Sequence, residues 1–113
     1  MSAWTLTVRH GPRVTRERFE AFDGAIAAMR EHADRVRAEG PLDSVTAFRD
    51  YGPGQRVAGR VELSTGGWLH RREAGIDVMG DGRLVPYSGA IRKRPLDPGG
   101  ADSPFDAVRQ ALA

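Results

Sequence analysis

Apolar and polar residues alternate on both sides of Asp81-Gly82, and that pattern predicts a β-hairpin. Asp-Gly suits a two-residue type I′ turn, because both central residues need positive φ. Counting outward from such a turn pairs Gly80 with Arg83, Met79 with Leu84, Val78 with Val85, Asp77 with Pro86, Ile76 with Tyr87 and Ala74 with Gly89. Ile76, Val78, Val85 and Tyr87 then share a dry face, and Gly75, Asp77, Pro86 and Ser88 share the wet one. Bonded and non-bonded pairs alternate from the turn, so Asp77–Pro86 is a non-bonded pair and the proline costs the hairpin nothing. It does block a further strand on its outer side, which makes Leu84–Ile91 an edge strand near Pro86.

Gln55–Leu63 alternates as well, with Val57, Gly59, Val61 and Leu63 pointing one way and Arg56, Ala58, Arg60 and Glu62 the other. A turn at Ser64-Thr65-Gly66-Gly67 preserves parity, so Trp68, His70 and Arg72 join the face of Ile76. The opposite face reads Arg60, Glu62, Arg71, Glu73 and Arg92, a mixed-sign ladder expected of a solvated surface. Trp4–Arg9 is a further strand with Trp4, Leu6 and Val8 inward, broken by His10-Gly11-Pro12. Arg13–Phe19 is a candidate strand folding back on it. Leu42–Tyr51, ended by Gly52-Pro53-Gly54, is another.

The period changes between Asp23 and Gly40-Pro41. There Phe22, Ile26, Met29, Ala33 and Val36 recur at the spacing of one buried helical stripe, with Ala25 beside it. Asp23 is a fair N-cap and Gly40-Pro41 a strong stop. Arg30, Glu31, Asp34, Arg35 and Arg37 fill the wet side. Past the Pro- and Gly-rich stretch Pro95–Asp102, Ser103-Pro104-Phe105-Asp106 matches a capping box that opens a short helix docked by Phe105, Val108 and Leu112. The whole chain, residues 1–113, reads as one α+β domain in the order β(β)αββββα. An antiparallel sheet of about five strands carries one long helix across a face and a short C-terminal helix.

Composition narrows the setting more than the function. With 40% hydrophobic and 28% charged residues the chain is ordinary globular material, which argues against disorder. It has no cysteine, hence no disulfide, thiol catalysis or thiolate metal site. No apolar run is long enough to span a membrane and no signal-peptide pattern opens the chain, so the expected setting is cytoplasmic. Lys93 is the sole lysine, asparagine is absent, and Ala, Gly, Arg and Pro abound, a bias expected of a GC-rich bacterial genome. The sequence pI of 9.7 follows from arginine's high pKa, since net charge is only +2.

Candidate chemistry is sparse. His10, His32 and His70 lie far apart and form no zinc-ligand pair, so no metal or other cofactor is expected. Asp77-Val78-Met79-Gly80-Asp81-Gly82 fails as a calcium loop, because Met79 stands where an oxygen ligand is required. Neither a phosphate-binding glycine loop nor a nucleophile–base–orienter set is present, so no catalytic residue is assigned and the reading leans away from an enzyme. One inconsistency remains. His70 and Arg72 fall on the apolar face, where unpaired charge is costly. A β-bulge between Leu69 and Glu73, or a face open beyond the helix, is the favoured explanation. The sharper alternative is a pocket at the Trp68 end, where His70 and Arg72 meet an anionic ligand.

Two functional expectations follow. The first is a non-enzymatic protein-interaction module, self-associating or binding another chain, with Trp4, Tyr51 and Trp68 as aromatic anchors if exposed. The second is a nucleic-acid or anionic-ligand binder using Arg71, Arg72, Arg92, Lys93 and Arg94, with Arg9, His10, Arg13, Arg16 and Arg18 as a further basic group. The element order resembles a double-stranded-RNA-binding domain in outline only. Ser103-Pro104-Phe105-Asp106 stands where that family has a lysine-rich helix start, which excludes it.

Overall fold

The computed structural model describes residues 3–40, 57–66, 71–89, 94–95 and 103–112. Strands β1 (Trp4–His10), β2 (Arg13–Phe19), β3 (Val57–Thr65), β4 (Arg72–Met79), β5 (Leu84–Ser88) and the two-residue β6 (Arg94–Pro95) form one antiparallel sheet in the order β2-β1-β3-β4-β5-β6. Helix α1 spans Phe22–Glu39 and α2 spans Pro104–Leu112. The expected α+β architecture is present, and Arg13–Phe19 is indeed a strand paired along its length with β1. The expected strand at Leu42–Tyr51 lies outside the described residues.

Both helices pack on one face of the sheet, because the apolar residues of β1, β3 and β4 point there. Leu6, Val61, Leu63, Ile76 and Val78 are fully buried with Met29 and Ala33 of α1 and Val108 of α2. Each such aliphatic side chain contributes roughly 1.5–3 kcal/mol on leaving water. In α1, Ala25, Ile26, Met29, Ala33 and Val36 are buried, while Phe22 is half-buried. Trp4 is core too, its ring centroid 4.5 Å from that of Phe22. It is therefore no exposed anchor. No described helix is long and apolar enough to cross a membrane.

The helix ends follow local rules, with one correction. Gly40, at φ 73, donates its N–H to Val36 O at 2.9 Å and stops α1 as expected. At the other end the N-cap is Ala21, not Asp23. Asp23 sits inside the first turn, where a carboxylate is favoured by the exposed helix N–H groups, and holds Arg109 of α2 at 2.6 Å. In α2, Ser103 Oγ accepts the Asp106 N–H at 3.2 Å, so the predicted cap forms.

The hairpin centred on Asp81-Gly82 has a different register from the predicted one. Met79 N–H donates to Arg83 O at 2.8 Å and Gly82 N–H to Met79 O at 2.9 Å, which closes a three-residue loop, Gly80-Asp81-Gly82. Among the loop residues only Gly82 has positive φ, at 92, as in a type I turn followed by one left-handed residue. The Asp81 carboxylate accepts the Arg83 N–H at 3.0 Å, a bond that holds its pKa below the usual carboxylate range. Adding one loop residue slides the partner strand by one. Val78 pairs with Leu84, Asp77 with Val85, Ile76 with Pro86, Gly75 with Tyr87 and Ala74 with Ser88. Ile76 and Tyr87 are thus on opposite faces, and Tyr87 and Val85 join Gly75 and Asp77 on the face away from the helices. Pro86 still occupies a non-bonded pair, now opposite Ile76, and the β5–β6 ladder is described only at Tyr87 and Ser88.

A second irregularity lies in β3. The β3–β4 register shifts between Val57 and Gly59, so a bulge turns Val57 outward and leaves it 38% exposed. Gly59, Val61 and Leu63 keep the predicted inward facing. Gly75 is the tightest point of the outer face: a Cβ there would lie 2.5 Å from Val61 O, 2.7 Å from the Tyr87 hydroxyl and 2.9 Å from Glu62 Cα. Gly24, in α1, has only Phe19 Cδ1 at 4.0 Å. Gly75→Ala is therefore expected to destabilise the fold by about 1–3 kcal/mol, with overpacking as the cause. Gly24→Ala should instead stabilise it, by up to roughly 1 kcal/mol, through helix propensity. Urea unfolding of the two variants checks both signs.

Candidate functional site

The residues first singled out scatter. Arg72 opens β4 opposite Thr65 on the helix side of the sheet and is exposed, and the register runs unbroken from it to Glu73, while the rest of the stretch in which a bulge was expected, up to His70, lies outside the described residues. Arg71 precedes the strand, exposed, with its Nε 2.5 Å from Glu73 Oε1, and the Glu73 side chain is only 6% exposed. Arg94 belongs to β6, opposite Ser88, whose other partner is Ala74, at the same end of the sheet as Arg72. Trp68, His70, Arg92, Lys93 and the aromatic Tyr51 lie outside the described residues.

The outer face is not the solvated ladder expected of it. Its centre is a half-buried polar network built on the corrected register. The Tyr87 ring lies across Gly75, and its hydroxyl donates to Glu62 Oε2 at 2.5 Å. Arg60 binds Asp77 with two nitrogens, Nε to Oδ1 at 2.5 Å and Nη2 to Oδ2 at 3.2 Å, and its guanidinium carbon sits 5.0 Å from the centre of the Tyr87 ring. Asp77 raises the pKa of Arg60 above its usual value. Burial, then the bond to Glu62, pushes the Tyr87 phenol well above the usual tyrosine range. No buried side-chain polar atom among the described residues lacks a partner.

A second group ties the β1–β2 turn to the end of α1. Gly11, at φ 60, and Pro12 form a two-residue loop between His10 and Arg13 that suits a type II′ turn. Buried His10 donates from Nε2 to Gly40 O at 2.5 Å, because a carbonyl oxygen can only accept. Its Nδ1 lies 3.2 Å from Arg13 Nη2 and 3.1 Å from Glu39 Oε2, and Arg13 bonds Glu39 at 2.7 Å. Unprotonated, Nδ1 accepts from Arg13; protonated, it donates to Glu39. These residues, with Thr15, His32 and Arg35 over a floor of Val8 and Val36, line a cleft of about 140 Å³. His32 faces Glu17 at 3.8 Å. The ionisable groups here are engaged with one another, and the described residues contain no group of three or more metal-ligating side chains.

The outer face of β2 is different. All seven of its residues are exposed or half-exposed, and among the described strands it pairs only with β1. Arg16 and Arg18 stand on its outer face, in line with Thr7 and Thr5 of β1, and Arg9 lies diagonal to Arg16. None of these three guanidiniums makes a hydrogen bond or ion pair among the described residues, unlike Arg13, Arg60, Arg71 and Arg109. The basic run Arg9–Arg18 was visible in the sequence, but which of its members are free is set by pairings across the fold. Compared with protein-family models, curated proteins and solved structures, the chain matches none.

The Tyr87 network has a measurable signature in pH. Its folded pKa is raised above the ordinary value near 10, so the proton-linked stability is fully present below pH 10. Stability should fall as pH rises above 10, by at most about 1.4 kcal/mol per unit, because the unfolded phenol ionises while the folded one keeps its proton. Tyr87→Phe should flatten that slope, as read by urea unfolding between pH 9 and 11.

Proposed function

We propose that this chain is a non-enzymatic protein-interaction module that works through the exposed edge of its β1–β2 hairpin. One observation carries the reading: Arg16 and Arg18 on β2 and Arg9 on the adjacent β1 have no side-chain partner among the described residues and share the outer face, and all seven residues of β2 are exposed or half-exposed. Exposed arginine on a rigid element is a frequent contributor to protein contacts.

Self-association is the weaker form of this reading. A symmetric β2–β2 pairing that uses the whole strand centres on Arg16, which would then face its own copy, and like charges directly opposite are destabilising. A different chain fits better. The same free guanidiniums support nucleic-acid binding as a second reading, and salt and nuclease treatment separate the two. Affinity purification from host lysate should recover a defined protein with the wild-type chain before and after nuclease treatment. Recovery should fall at least about tenfold with Arg16→Glu/Arg18→Glu, a loss of two charged contacts. Partners retained unchanged by the double variant would exclude this surface, and loss on nuclease treatment would favour nucleic acid.

A further inference from the structure

We infer that the partner of β2 is an acidic, extended segment of another protein that joins the sheet as an antiparallel strand, reading acidic-x-acidic-x-apolar opposite Arg18, Arg16 and Val14. This rests on the edge-contact reading above and adds the chemistry and geometry of what is bound.

Hydrogen-bond parity sets the geometry. His10 and Arg13 flank a two-residue loop and so form a bonded pair, as do Val8 with Thr15, Leu6 with Glu17 and Trp4 with Phe19. The intervening residues of β2, namely Val14, Arg16 and Arg18, therefore aim their backbone N–H and C=O groups away from β1, along the open edge. Their side chains share the outer face. An added strand would thus bond to these residues and place its own side chains about 5 Å from theirs. Two of the three carry unengaged guanidiniums, which favour carboxylates directly opposite. Val14 is 42% exposed and favours an apolar neighbour.

The other side of β2 asks for nothing specific. Arg13 and Glu17 point toward α1, where Glu39 and His32 already face them. The x positions of the partner are therefore unrestricted. Charge also disfavours a phosphate backbone along this edge, because the outward carbonyls of Val14, Arg16 and Arg18 repel anions and are satisfied only by a chain carrying N–H donors.

The test uses the full chain and fluorescein-labelled nine-residue peptides, read by anisotropy. A peptide with the acidic-x-acidic-x-apolar pattern should bind, and more weakly as salt rises. Moving its acids to the x positions should weaken binding at least about tenfold. N-methylation of the residues opposite Val14, Arg16 and Arg18 should abolish it, whereas N-methylation of the x residues should not. Arg16→Glu/Arg18→Glu should lose the acidic peptide and gain one carrying lysines in place of its acids. Equal tolerance of both N-methylation patterns would overturn strand addition. No peptide binding, with wild-type-specific protein capture intact, would overturn this inference and leave the edge-contact reading standing. Tighter binding of a single-stranded oligonucleotide than of any peptide would overturn both.

Discussion

Tyr87 lying over Gly75 is the contact on which the two faces of the sheet depend. The glycine leaves a space that no Cβ could share with Val61 O and the Tyr87 hydroxyl, and the hydroxyl reaches into it. From there the hydroxyl reaches Glu62, the ring face receives Arg60, and Arg60 holds Asp77. Three neighbouring strands are thereby fixed in one register by groups that cannot be exchanged for their neighbours in sequence. A slip of one residue would drive the phenol and Val85 into the helix-covered side and expel Leu84 and Pro86 from it. It would also strip Glu62 of its bond to the phenol. The register is therefore held from the polar face as well as from the apolar one.

How much of this was legible follows from which signals are local. The α1 stripe, the Gly40 stop and the Ser103 cap were readable because each depends on residues within a turn or two of one another. The alternation of β1 and most of β3 was readable for the same reason. The hairpin was located but misregistered. Gly80-Asp81-Gly82 offers two loop lengths, and Leu84-Val85-Pro86-Tyr87-Ser88 is apolar enough to satisfy either parity. What decides is the space above Gly75, a contact between strands. The Val57 bulge was hidden likewise, because alternation continues through it in the text of the sequence while the backbone turns it over.

The site was less legible than the fold, for a related reason. In sequence, Arg9, Arg16, Arg18, Arg60 and Arg71 are equivalent cations. Pairing across strands makes Arg60 a structural residue through Asp77 and Tyr87, and Glu73 engages Arg71, while the first three stay free. Composition could count these charges but not assign them. The same holds for His10, which reads as a turn residue in the sequence and proves to be a buried clasp between the hairpin and the last turn of α1.

That clasp bears on the open edge directly. An unpaired strand is a hazard unless something discourages self-pairing, and arginine at its centre does so by placing like charges opposite one another. In the proposed strand addition the same charge would admit a strand of opposite sign, so protection and selectivity would arise from one set of side chains. Binding by strand addition costs ordering entropy on both sides of the contact, and an edge that is already straight and anchored loses less. Here β2 is paired to β1 from Arg13 to Phe19, and its first residue is tied to α1 through Glu39 and His10. The backbone of the edge is thus presented ready-made, and the freedom left to lose resides in the long side chains of Arg16 and Arg18. Affinity at such an edge is set by how well the incoming carboxylates repay that loss, which makes it modest and strongly dependent on salt.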